Sequence, residues 1–135
     1  MLEMAFMEWG EKYLTGIQEV DDQHHGLFDL VNQLYQAVAN GDEQQTVGKI
    51  LDELIDYTVL HFQTEERLFV EYKYPKLEEH KQQHDDLTRQ VLDLQEQFQE
   101  KSITISFDVL DFLHDWLKDH TTGSDLEFGR FYQQP

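Results

Sequence analysis

Seven side chains that bind metals well, His24, His61, Glu65, His80, His84, His120 and Asp125, stand where the helical pattern of this chain calls for apolar residues. Two pairs, His61 with Glu65 and His80 with His84, are spaced i,i+4. On an α-helix that spacing puts both side chains on one face, a turn apart. A buried imidazole or carboxylate without a partner is costly. Seven of them on core faces call for a common partner, and this mixture of nitrogen and oxygen donors suits first-row transition metals, iron among them. Any fold of this chain must bring the seven together.

The apolar spacing predicts four amphipathic helices after an N-terminal arm over residues 1–20. Asp21 and Asp22 are expected to cap the first helix, 22–39, which carries Leu27, Leu30, Val31, Leu34 and Val38 on one face and stops at Asn40-Gly41. The second, 43–71, presents Val47, Leu51, Leu54, Thr58, His61, Glu65, Leu68 and Phe69, and Tyr74-Pro75 bars its continuation. The third, 76–100, has the cleanest seam: Leu77, His80, His84, Leu87, Val91, Leu94, Phe98. Its steps alternate three and four, with histidines at two apolar positions. After Lys101-Ser102 a fourth helix turns Val109, Leu110, Leu113, Leu117 and His120 inward. Short connections make this an all-α, up-down-up-down four-helix bundle, one domain over residues 1–135 with the bundle proper at 21–135.

In such a bundle the candidate ligands share a level. Sixteen residues separate His24 from Asn40, nineteen Asp42 from His61, seventeen His84 from Lys101 and sixteen Thr104 from His120. At the helical rise these spans are about 24 to 29 Å, equal within one turn. Asp125 is the awkward member. Five residues past His120, it falls about 140° away on a regular helix. A bulge or helix end near Gly123 is needed to bring it back.

Composition narrows the partners. With 28 acidic against 10 basic residues and a formal charge of −18, the surface repels phosphate backbones and anionic lipid. Nucleic acid and membranes are therefore excluded as expected partners. Cysteine is absent, so neither a disulfide nor a thiolate site can form. The N-terminal stretch lacks the apolar run of a signal peptide, and no segment reaches the length of a membrane span. A cytoplasmic location is expected.

Val20-Asp21-Asp22-Gln23-His24, His61-Phe62-Gln63-Thr64-Glu65-Glu66, Tyr74-Pro75 with His80-x-x-x-His84, and Trp116-Leu117-x-x-His120-x-x-x-x-Asp125 together resemble the bacterial hemerythrins across essentially the whole chain. The five-residue step to Asp125 is part of that pattern. The resemblance implies two iron ions, Fe2+ or Fe3+, with an oxo or hydroxo bridge, binding O2 reversibly for storage or delivery. It assigns His80, His84 and His120 to one iron, His24 and His61 to the other, and Glu65 and Asp125 to both as bridges. Two six-coordinate ions so ligated keep one open position, on the iron held by His24 and His61. Ferritin-like diiron bundles instead use four carboxylates and two histidines. Five neutral imidazoles supply less negative charge to stabilise high-valent iron, which favours binding O2 over activating it.

Leu117, Trp116, Leu27 and Phe28 lie a turn from ligands and are expected to line the O2 pocket, a role that ordinary core packing would explain as well. Thr121 stands where hemerythrins often carry a branched aliphatic residue, and is expected to admit water and hasten autoxidation. His25 is about 100° round the helix from His24 and is expected to face solvent. His114 lies off the ligand face, and Glu66 faces away from His61. The alternative to an oxygen carrier is an O2 or redox sensor whose chain continues past Pro135 into a signalling output domain, such as a cyclic-dinucleotide or chemotaxis module. A peroxidase or iron oxidase is the enzymatic alternative. The main reading is not an enzyme.

Overall fold

The computed structural model describes residues 6–100 and 105–133. Among these residues all regular structure is helical. A 3-10 turn, Glu11–Tyr13, precedes α1 (Gln18–Ala39), α2 (Gln44–Glu71), α3 (Leu77–Gln99) and α4 (Phe107–Asp119). A π-helical turn, His120–Ser124, carries the last rod on into α5 (Asp125–Tyr132). Helix α1 packs against α2 and α4, and α2 against α3, as an up-down-up-down bundle requires. The expected break at Lys101-Ser102, like the first five residues of the arm, lies outside the described residues.

One boundary differs from expectation. Helix α1 begins at Gln18, four residues ahead of Asp22, and Asp21 does not cap it. The buried Asp21 carboxylate instead accepts hydrogen bonds from the Thr15 N–H (2.8 Å), the Thr15 hydroxyl (2.7 Å) and the Gly16 N–H (3.2 Å). The carboxylate thus turns back and fastens the arm, so the helix can start upstream. Further along, the arm is held by Asn32, whose side-chain amide pairs with the N–H and C=O of Met7 at 2.7 and 2.8 Å.

The apolar interior divides into two clusters. The larger includes Leu27, Leu34, Leu51, Phe62, Leu87 and Leu117. The smaller holds Ile17, Val20, Leu68, Phe69, Tyr74 and Phe128. Every rod crosses from one to the other through metal-grade residues: Val20 to Leu27 through His24, Phe62 to Phe69 through Glu65, Leu77 to Leu87 through His80 and His84, Leu117 to Phe128 through His120 and Asp125. The expected common level is a polar layer between two apolar ones.

Candidate metal centre

All seven predicted residues are buried, with His24, His61, Glu65 and Asp125 at 0% exposure. Ligand atoms of His24, His61, Glu65, His120 and Asp125 all lie within 4.8 Å of one another. Nε2 of His24 is 2.5 Å from Asp125 Oδ2, and Nε2 of His120 is 2.8 Å from the same oxygen. Glu65 Oε1 lies 2.8 Å from His61 Nε2, 3.0 Å from His120 Nε2 and 3.4 Å from His84 Nε2. His84 therefore stands at the edge of the group of five. His80 stands farther out, buried against Phe69 and Tyr74.

The π turn is what makes Asp125 a member. Its N–H donates to the carbonyl of His120, five residues back, which is the π pattern. The wider turn cancels the offset that a regular helix would impose. Threonine hydroxyls serve the carbonyls of the turn before it: Thr121 donates to Leu117 at 2.8 Å and Thr122 to Lys118 at 2.7 Å. Thr121 is fully buried, and its hydroxyl is committed to backbone. That commitment gives no support to its expected part in admitting water.

Opposite charges in the layer shift one another. Burial works against protonating His61 and His120, but Glu65 and Asp125 override it and raise them to about 9 and about 10. Burial pushes the Glu65 carboxyl up, yet His61 and His120 hold it well below its usual range. Burial and the neighbouring Glu65 raise Asp125, and His120 and His24 overcome both, bringing it to about 2. Burial pushes the His24 and His80 imidazoles down. Two imidazolium groups thus face two carboxylates.

That pairing leaves unfinished bonds. Buried without a hydrogen-bond partner are His24 Nδ1, Glu65 Oε2, His80 Nδ1, His84 Nε2 and Asp125 Oδ1. The Nε2 atoms of His24 and His61 face each other at 3.1 Å. Cations seated among these groups would meet the spare lone pairs of Glu65 Oε2, Asp125 Oδ1 and His84 Nε2 and displace the imidazolium protons. The donor set fits a pair of iron ions.

Two outer partners escaped the sequence reading. His61 Nδ1 meets Gln23 Oε1 at 2.9 Å, and the Gln23 amide in turn donates to Thr64 Oγ1 at 3.0 Å. His84 Nδ1 lies 3.3 Å from Glu66 Oε2. Such contacts fix the ring orientation of metal-binding histidines. Each partner directly adjoins a predicted ligand in sequence, Gln23 beside His24 and Glu66 beside Glu65, and that adjacency was the available signal. Phe62 was also missed; it stacks on His84 with centroids 4.0 Å apart.

Of the four expected pocket residues, Trp116 stacks on His120 at 5.4 Å and borders a cleft of ≈ 320 Å³ between α3 and α4 that reaches His84 and His120. Leu27, Phe28 and Leu117 lie buried in the larger apolar cluster. His25 is exposed, as expected, and stacks on Trp9. His114 is partly exposed beside Asp115, away from the layer.

Known proteins share this fold. The hemerythrin HHE cation binding domain family matches residues 15–132. A bacteriohemerythrin of Methylococcus capsulatus is 37% identical over 127 residues, covering 93% of this chain and 96% of that protein. A hemerythrin-like protein of Naegleria gruberi is 30% identical over 120 residues, 89% of this chain and 88% of its own length. The crystal structure of a wild-type hemerythrin superposes with a TM-score of 0.89 at 36% identity, over 93% of this chain and 97% of that one. The chain belongs to the hemerythrin family, whose cofactor is a diiron centre.

Proposed function

We propose that this chain binds O2 reversibly, for storage or delivery, with His80, His84 and His120 on one iron, His24 and His61 on the other, and Glu65 and Asp125 bridging. Loaded in the ferrous state, the pair would supply two electrons that O2 takes up and returns. The carrying observation is the layer itself: five imidazoles and two carboxylates, all buried, between two apolar clusters. A single ion would not need seven donors. The spread from the compact group of five out to His84 and His80 supports a two-ion assignment.

The remaining chain serves the centre by what it withholds. Apolar clusters on both sides limit the access of water and its protons to the layer, which favours release of O2 over its reduction. Gln23 and Glu66 hold the His61 and His84 rings in register. No helix among the described residues is long and apolar enough to cross a membrane.

The test is anaerobic reduction of the iron-loaded protein, addition of O2, and removal of O2 under a visible spectrometer with iron counted. Colour that appears and disappears through several cycles, at two irons per chain, is the expected result. Irreversible conversion to a ferric spectrum in the first cycle would overturn the carrier reading and favour redox sensing. Substituting His61 by alanine should lower the iron content, and His25→Ala should not; equal losses would break the ligand assignment.

A further inference from the structure

Helix α2 ends in a turn that returns Tyr74 to the metal layer. The Tyr74 N–H donates to the Phe69 carbonyl at 2.9 Å and that of Lys73 to Val70 at 3.2 Å, with Lys73 in the left-handed region at φ 52°. This is a Schellman closure, with the accompanying contact between the Tyr74 and Phe69 rings at 5.4 Å. The Tyr74 ring is 5% exposed and also packs on Phe128 and, edge-on, on His80 with centroids 5.2 Å apart. Its hydroxyl is buried without a hydrogen-bond partner. A phenylalanine would fill that space without stranding a polar atom, so the hydroxyl needs an explanation.

His80 carries the complementary defect. In His24, His61, His84 and His120, Nε2 faces the central carboxylates. The outward Nδ1 then needs a partner, which Gln23 supplies to His61 and Glu66 to His84. Nδ1 is buried without a partner in both His24 and His80, and it is His80 whose ring touches that of Tyr74. Two unpartnered polar atoms thus belong to rings in direct contact, one an N–H donor once the opposite nitrogen binds a metal, the other an oxygen acceptor.

We propose that the Tyr74 hydroxyl is the outer hydrogen-bond partner of His80, accepting its Nδ1–H when that histidine holds a metal ion. The assignment rests on the reading of His80 as a ligand. Tyr74 is a positioning residue. With a metal on the opposite nitrogen, His80 Nδ1 carries the hydrogen and the Tyr74 oxygen accepts it.

The test is Tyr74→Phe in the full chain, titrated with cobalt(II) and compared with wild type in metal-free thermal unfolding. One of two cobalt ions should bind roughly 10- to 100-fold more weakly. The metal-free midpoint should match or exceed that of wild type, because no bond is lost there. Wild-type affinity for both ions would overturn the proposal. So would a lowered metal-free midpoint, since the hydroxyl would then have a structural partner. His80→Ala separates the two levels of failure. Two cobalt ions bound as tightly as in wild type would remove His80 from the ligand set, and the role of Tyr74 with it. One ion lost there, with both retained in Tyr74→Phe, would sink the Tyr74 role alone.

Discussion

The two apolar clusters on either side of the metal layer are built differently. The larger is mainly aliphatic, formed by the long middle stretches of the helices, and it closes on itself: Leu27, Leu34, Leu110 and Leu117 are each at 0% exposure. The smaller is gathered from helix ends, a loop and the last rod, and is aromatic around Phe69, Tyr74 and Phe128. It reaches Phe128 only because the π turn redirects the chain after His120. Away from Phe62 and Trp116, which stack on His84 and His120, the larger cluster runs along the helices clear of the centre. The smaller is tied to it, since His80 packs against both Phe69 and Tyr74.

Deleting a large side chain on each side tests that division most strongly. Phe128→Ala should cost about 3–5 kcal/mol of stability and also lower the iron content, because Phe128 packs on the rings that seat His80. Leu34→Ala should cost about 2–5 kcal/mol and leave two irons per chain. Denaturant unfolding with iron counted on both variants reads the difference. Equal iron loss from the two would erase it.

Next in size is a pH effect that should separate the metal-free protein from the loaded one. His61 and His120 are raised from 6.5 to about 9 and about 10 in the folded chain. Their contribution to stability is therefore complete below about 6.5 and is lost as pH climbs through 9 to 10. Glu65 and Asp125 are depressed, so their contribution holds above about 4 and is lost as pH falls toward 2. Metal-free protein should thus be most stable in mildly acidic solution and weaken by a few kcal/mol on the alkaline side. Loaded protein should not follow that alkaline loss, because metal displaces those protons and binds more tightly as pH rises. Parallel unfolding curves from pH 6 to 10 would refute the proton–metal exchange.

The division itself was legible in part. Helix number, the ends of α2 and α3 within a residue, and the shared level of the ligands all follow from periodicity and rise, because amphipathic rods in short-looped bundles have little geometric freedom. The need for a wider turn before Asp125 was likewise readable from a step of five. What sequence hid was which polar group bonds which. Asp21 looks like a cap until Thr15 is seen within reach, and a hydrogen bond across 38 residues, such as that of His61 to Gln23, leaves no periodic trace. Gln23→Leu measures what such a contact is worth. Removing the acceptor for His61 Nδ1 should weaken metal binding roughly tenfold and lower metal-free stability by about 1–3 kcal/mol, because a buried N–H loses its partner. An unchanged cobalt titration would make the contact incidental.

The smallest effect concerns two helix ends closed in the same way by different residues. Helix α1 ends with Gly41 at φ 72° and the Asp42 N–H bonded to the Ala37 carbonyl at 2.9 Å. Helix α2 ends with the same pattern, but Lys73 occupies the left-handed position. A side chain there crowds the following carbonyl at a cost of about 1–2 kcal/mol, which glycine avoids. Against this, glycine loses more chain entropy on folding, on the order of 0.5–1 kcal/mol. Lys73→Gly should therefore stabilise the protein by about 0.5–1 kcal/mol, raising the thermal midpoint by a few degrees. Metal content should not change, because the backbone bond that places Tyr74 survives. A lower midpoint would mean that the lysine side chain makes a contact worth more than the strain it imposes, and the two helix ends would then be alike in outline only.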